Sequence, residues 1–276
     1  MALFQSLFLL WVLAFAFGLI IGSFLNVCIY RIPLKKSING RSYCPTCKNP
    51  IPFYRNVPVF AFLLQRGRSA CCKTPISWQY PAIEFLTGVL SVMALWHVIA
   101  NLSQPDKSIF ITYLAWFLLF ICPLIVISAI DFQLQIIPDV ISLPFIIVGV
   151  LVNQYLFYPD FLGALKFSGL GLFLGGGILL LTAEIFTRLL NKDAMGGGDI
   201  KLVAMLGAFL GIKAVFFIFF ASSILAIIYF AILAIVQRGK QNKLIPFGPF
   251  LAMGALLYWF CGEPMIDAYL VMTHLR

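Results

Sequence analysis

Met195-Gly196-Gly197-Gly198-Asp199-Ile200-Lys201 places an aspartate directly after three consecutive glycines, with a long apolar run on either side. The chain has only ten acidic residues. A carboxylate at a membrane boundary is costly, and such residues mark function by default. Glycine opens backbone conformations closed to other residues and lets a second chain come close. A second aspartate stands in similar surroundings in Ile130-Asp131-Phe132-Gln133-Leu134-Gln135-Ile136-Ile137-Pro138-Asp139. The chain reads as built to bring Asp131 and Asp199 together.

Composition sets the solvent. Of 276 residues, 62% are hydrophobic and 11% charged, against about 25% charged in a soluble domain. Several apolar runs approach or exceed the roughly 20 residues that cross a bilayer. The expected fold is all-α, a polytopic membrane helical bundle of about eight segments: 4–30, 79–100, 108–130, 139–158, 162–187, 200–212, 214–236 and 245–261. The sixth is short and bounded by glycines, which suits a partial or tilted helix. The N-terminal run has no basic start and no small-residue cleavage site, so it reads as a first membrane helix and not as a removed signal. Three parts follow: a first helix over 1–30, a basic loop domain over 31–78, and a transmembrane core over 79–276.

Charge placement gives the topology. Residues 31–78 carry nine basic residues and no acidic one. Placed in the cytoplasm, with sides alternating, they join Arg188, Lys192, Lys201, Arg238, Lys240 and Lys243 to put fifteen of the nineteen basic residues inside, as the positive-inside rule requires. Lys107, Lys166, Lys213 and Arg276 fall on or near the other side. Both aspartates then lie at cytoplasmic helix ends. The net charge of +9 is accounted for by topology, which leaves no case for nucleic acid as a partner. The basic loop also suits anionic membrane lipids, at about 1 kcal/mol per residue near the surface.

Two neighbouring carboxylates do not both ionise cheaply, so the pair shares a proton and titrates as a unit. That arrangement activates water against a peptide carbonyl and protonates the leaving nitrogen. Asp139, after Pro138 and before an apolar run, fits two readings, a helix cap or part of the site. Asp193 reads as a solvated loop residue. Glycine-dense 162–187 reads as close helix packing. His97 and His274 read as structural.

Gly196-x-Gly198-Asp199 matches the G-x-G-D signature of intramembrane aspartyl proteases. With Lys201-Leu202-Val203-Ala204 and Gly207-Ala208, it resembles the prepilin peptidase (type IV leader peptidase) branch. The other motifs follow in the family's order. Gly22-Ser23-Phe24-Leu25-Asn26-Val27 and Arg31-Ile32-Pro33 resemble its first helix. Cys44-Pro45-Thr46-Cys47, Asn56-Val57-Pro58, Arg66-Gly67-Arg68, Pro75-Ile76-Ser77 and Tyr80-Pro81-x-x-Glu84 resemble its cytoplasmic loop. Ile130-Asp131 with Pro138-Asp139 resembles its first catalytic segment, and Pro246-Phe247-Gly248-Pro249 its last helix. The resemblance covers residues 18 to about 255. It implies Asp131 and Asp199 as the catalytic pair, with Gly196, Gly198, Lys201 and Asp139 on the substrate side. Some members carry an acidic residue two positions after the first aspartate; here that position is Gln133.

The same resemblance implies a bacterial cytoplasmic (inner) membrane enzyme with a cytoplasmic active site. Its substrates are precursors of type IV pilins and type II secretion pseudopilins, each with a short basic leader ending in Gly before an apolar helix. Members commonly also N-methylate the new N-terminus from S-adenosylmethionine, and the long 31–78 loop favours that second activity. Cys28, Cys122 and Cys261 lie in apolar segments and read as buried small residues. Cys44 and Cys47 form C-x-x-C in a polar loop, where zinc is the usual reason. Cys72 falls on the second position of the family's further C-x-x-C and Ser69 replaces the first, with Cys71 adjacent. The expected Zn2+ site is therefore Cys44, Cys47 and Cys72 with Cys71; a loop held by its apolar residues is the other reading. Three rivals differ in class: a proton-coupled transporter with intramembrane carboxylates, a presenilin-like protease, whose Pro-Ala-Leu motif this chain replaces with Pro-Phe-Gly-Pro, and a catalytically silent assembly partner.

Overall fold

The computed structural model describes residues 2–101, 108–158, 160–190, 196–236 and 246–273. Of the residues read above, Lys107, Lys192, Asp193, Met195, Arg238, Lys240, Lys243, His274 and Arg276 lie outside them. All regular structure among the described residues is helical, apart from isolated bridges at Tyr43 with Pro50 and Arg68 with Pro75. Seven of the described helices are long and apolar enough to cross a membrane: Phe8–Arg31, Gln79–Asn101, Ile109–Leu134, Asp139–Leu156, Phe161–Leu189, Gly197–Val236 and Gly248–Met272. Their outer faces leave Phe132, Val140, Ile147, Phe216 and Ile235 more than half exposed, as a lipid-facing surface requires.

The count differs from eight at one place. The expected sixth and seventh segments form a single run, α9 (Gly197–Val236), broken inside by Gly211. There φ is 77° and ψ −178°, in the left-handed region that residues with a Cβ avoid. The expected boundary at 212–214 is thus a glycine break at 211, and the eight-segment reading survives as seven runs with one bipartite.

Two compact units form, Met1–Val126 and Ile127–Arg276. In the first, α1 (Ala2–Arg31) packs on α3 (Gln79–Asn101), with short α2 (Phe60–Leu64) in the loop between them. The Ser91 hydroxyl ties α3 to α1 through the Ala14 carbonyl at 2.6 Å, and it also bonds Tyr113 of α4 (Ser108–Leu114) at 2.7 Å. After α4 comes a π-helical stretch, Ala115–Ile121, which buries Phe117, Phe120 and Ile121 completely. The unit boundary falls inside α5 (Cys122–Leu134).

The second unit is organised around the first half of α9. Leu202, Val203, Met205, Leu206 and Ala208 are fully buried, and a helix apolar on every side belongs at a centre. Around it stand α6 (Asp139–Leu156), α7 (Phe161–Leu172) and α10 (Gly248–Met272), with a glycine-rich π-helical stretch, Phe173–Gly177, leading from α7 into α8 (Ile178–Leu190). The packing expected of 162–187 is confined to particular glycines. Gly171 crosses Gly207 so closely that a Cβ on either would overlap the other's carbonyl, whereas Gly169 and Gly177 have open space around them.

One polar side chain secures the break. Asn153 of α6, 2% exposed, donates to the carbonyls of Ala208 and Phe209 at 2.9 and 3.1 Å and to the Ser168 hydroxyl at 3.0 Å. A helix end leaves its last carbonyls without their usual amide donors, and in apolar surroundings each must find another. Asn153 supplies donors in the turn before Gly211 and ties α6, α7 and α9 together. Asn153→Leu is expected to cost about 1–3 kcal/mol, while Gly169→Ala leaves stability unchanged or slightly raised. Thermal unfolding of the detergent-solubilised variants checks both.

Candidate active site

Asp131 lies in the last turn of α5. Gln135 ends the helix in the left-handed conformation (φ 56°), its amide bonding the Asp131 carbonyl at 2.8 Å. Extended Pro138 then starts α6. The side chain of Asp131 is 5% exposed, and its Oδ2 accepts the Gly248 N–H at 2.9 Å. Gly248 is the first residue of α10, where backbone N–H groups have no partner within the helix. Glycine is needed there, because a Cβ would stand 2.6 Å from Asp131 Oδ2. The Pro-Phe-Gly-Pro motif therefore delivers a bare amide to a buried carboxylate.

Asp199 is the third residue of α9, half-buried, in the first turn of a helix whose N-terminal end favours negative charge. Its carboxyl lies within electrostatic reach of that of Asp131. The glycines before Asp199 have separate surroundings. Gly196 and Gly197 are exposed, and a Cβ at Gly197 would meet nothing within 4 Å. A Cβ at Gly198 would lie 2.9 Å from the Ile137 Cβ. Gly198 thus lets the first turn of α9 pack on the link that leaves Asp131.

Asp139 is not a cap. Pro138 holds the N-cap position, with no side-chain cap bond. Both carboxylate oxygens of Asp139 instead accept from Lys201 Nζ at 2.8 Å, fastening the start of α6 to the start of α9. Gln133 is exposed and turns back on its own helix, donating to the Ala129 carbonyl at 2.8 Å. Of the cysteines expected to be buried in apolar segments, Cys28 and Cys122 are, but Cys261 is exposed. It lies on the outer surface of α10, where a small apolar residue meets lipid as readily as core. His97 is on α3, beside Asn101.

The cysteine loop is built from two matched turns in the first unit. In one, Cys44 N–H bonds the Asn49 carbonyl at 2.9 Å and Lys48 N–H the Cys44 carbonyl at 2.9 Å. In the other, Ser69 N–H bonds the Thr74 carbonyl and Lys73 N–H the Ser69 carbonyl, both at 2.8 Å. Lys48 and Lys73 share a left-handed φ of 59°. Ser69 therefore occupies the place of Cys44, and Cys72 that of Cys47. The missing sulfur comes from Cys71, whose adjacency to Cys72 does not keep it out. The four Sγ atoms lie within 4.8 Å of one another, with Cys47–Cys71 at 3.2 Å, Cys44–Cys72 at 3.6 Å and Cys71–Cys72 at 3.8 Å. Zn–S bonds of about 2.3 Å give a tetrahedral S–S edge of roughly 3.8 Å, so the set fits a metal ion.

The thiols differ in acidity. The Cys47 amide at the Cys44 sulfur outweighs burial and, with the Thr46 amide, lowers Cys44 to about 5. The Thr74 hydroxyl and amide lower Cys72. At Cys47 the Asn49 amide is outweighed by the neighbouring Cys71 and the other sulfurs, which push it up to about 12. Thiolates gathered this closely repel one another unless a cation stands between them.

Two family descriptions match the chain. Residues 16–98 match the Bacterial Peptidase A24 N-terminal domain, and residues 117–231 the Type IV leader peptidase family. Among curated proteins, a prepilin leader peptidase/N-methyltransferase of Neisseria gonorrhoeae is 35% identical, covering 91% of this chain and 90% of its own length. Proteins of the same description from Legionella pneumophila (33%, covering 92% of each chain) and Klebsiella pneumoniae (38%, covering 72% of this chain and 85% of the relative) are similar in the same way. No solved structure matches the chain.

Proposed function

Because the chain belongs to the type IV leader peptidase family, we propose that it is a membrane aspartic endopeptidase and N-methyltransferase. It removes the leader of type IV prepilins and type II secretion pseudopilins after Gly and methylates the new N-terminal residue. The observation that carries the cleavage reading is the approach of Asp131 and Asp199, carried by two helices, to within electrostatic reach of each other. The family match gives the transporter reading no support.

Cleavage follows from the pair. One proton is shared between the two carboxylates. The ionised member takes a proton from water as the water oxygen bonds the carbonyl carbon of the scissile peptide. The protonated member gives its proton to the departing nitrogen as the C–N bond breaks. Gly248 is the positioning residue, its N–H fixing the rotamer of Asp131. The exposed Gly196 and Gly197 leave room for an extended substrate backbone beside Asp199. Asp139 and Lys201 support this geometry by holding the starts of α6 and α9. The charge distribution supports a site at the cytoplasmic face of the inner membrane; in this reading the scissile bond lies at that surface while the precursor's apolar helix stays in the bilayer.

The methyl donor in this reading is S-adenosylmethionine, which supplies an electrophilic methyl group to the freed amine. Zinc held by Cys44, Cys47, Cys71 and Cys72 is structural, contributing folding energy to a segment too small for its own core.

Asp131→Asn and Asp199→Asn should each abolish leader removal from a co-expressed prepilin while leaving the protein folded, as read by mass spectrometry of the product. Substantial cleavage by either variant would sink the assignment. Gly248→Ala keeps the amide but displaces the carboxylate, and kcat should fall at least about tenfold with KM little changed. Purified protein should hold one zinc per chain by elemental analysis. Cys71→Ser should lower that content, and Ser69→Cys added to it should restore it. Wild-type protein without zinc would contradict the metal assignment.

A further inference from the structure

A cavity of about 340 Å³ that the aspartate chemistry does not use is walled in part by the cysteine turns, Cys44 and Cys71 included. Arg55, Asn56, Val57, Phe62, Tyr80 and Glu84 are among its lining residues. Its volume is at the lower end of the roughly 300–1,000 Å³ range for small-molecule and cofactor sites. Glu84 lies in the second turn of α3 and is 8% exposed. Its Oε2 accepts the Val59 N–H at 2.7 Å, and the Ser23 hydroxyl also bonds the carboxylate. Among the described residues no lysine or arginine forms an ion pair with it. Buried charges are ordinarily paired, so this carboxylate on a cavity wall has neutral donors and lacks a cation.

A second irregularity sits on the same wall. Val59 has φ 60° and ψ −51°, outside the usual regions for a β-branched residue. Strain of this kind persists where surrounding structure holds it, often at ligand sites. The bond that holds Val59 there is the one from its own amide to Glu84.

Resting on the methyl-transfer reading above, we infer that this cavity is the S-adenosylmethionine site, with Glu84 as the counter-charge to the donor's positive end. The donor carries a sulfonium and an ammonium, and a carboxylate with only neutral donors is the group that recognises them. Phe62 and Tyr80 offer aromatic faces to the adenine. Arg55 offers a cation to the donor's own carboxylate. In the reaction the freed N-terminal amine bonds the methyl carbon, the S–CH3 bond breaks with its electron pair going to sulfur, and the amine proton leaves to water.

The test is calorimetric binding to the full-length detergent-solubilised enzyme. Glu84→Gln removes the charge but keeps an oxygen to accept the Val59 amide, so it separates recognition from loop support. S-adenosylmethionine should bind Glu84→Gln at least about tenfold more weakly than wild type. Methylthioadenosine, which keeps the adenosine and the sulfur but has neither positive charge, should bind both forms alike. Equal affinity of both forms for S-adenosylmethionine, in an enzyme whose wild type methylates, overturns the site and leaves the methyl-transfer reading standing. A parallel loss for both compounds also overturns it, since Glu84 would then act only by shaping the loop. A wild-type enzyme that neither binds the donor nor methylates overturns the reading and this inference together.

Discussion

A carboxylate that is 5% exposed in a chain with 11% charged residues is the constraint on which the second unit depends. Burying a charge in apolar surroundings costs several kcal/mol unless hydrogen bonds and partners compensate. Asp131 is given a backbone amide from the start of α10, and its partner Asp199 begins a helix whose free amides favour negative charge. Both devices use helix ends, so α5, α9 and α10 must present their termini to one place. The tight link from Gln135 to Pro138, the packing of Gly198 on Ile137 and the pair of Asp139 with Lys201 all serve that meeting.

The break at Gly211 belongs to the same design. Gly197 to Leu210 make a segment of about 21 Å at 1.5 Å per residue, short of the roughly 30 Å of a bilayer core. A short buried segment can carry Asp199 at its start only if its other end is stabilised within the protein. Asn153 does this through the Ala208 and Phe209 carbonyls. The fold thus anchors the aspartate-bearing segment at both ends.

Much of this was legible in the sequence. Apolar runs separated by polar links gave the helices, and the rarity of acidic residues singled out Asp131 and Asp199. The matching order of motifs gave the family. What stayed hidden depends on backbone geometry at long range. Pro246-Phe247-Gly248-Pro249 suggested a helix start, but nothing local says that the Gly248 amide reaches a residue 117 positions away. Asn153 sits in an apolar run with no neighbour to announce its partners. Asp139 after a proline looked suited to capping, and only the folded chain brings Lys201 against it. Ser69 broke the cysteine spacing, and the three-dimensional match of the two turns was needed to show that Cys71 reaches the same cluster.

The central claim is that Asp131 and Asp199 act as one unit on one water. Residues that act as a unit give grossly non-additive losses when removed. The direct measurement is the residual rate of prepilin cleavage by purified Asp131→Asn, Asp199→Asn and the double variant, each checked for folding. The account predicts that the double variant is no slower than the slower single one, because either change alone already disables the pair. Losses that multiply in the double variant would show two independent contributions and contradict it.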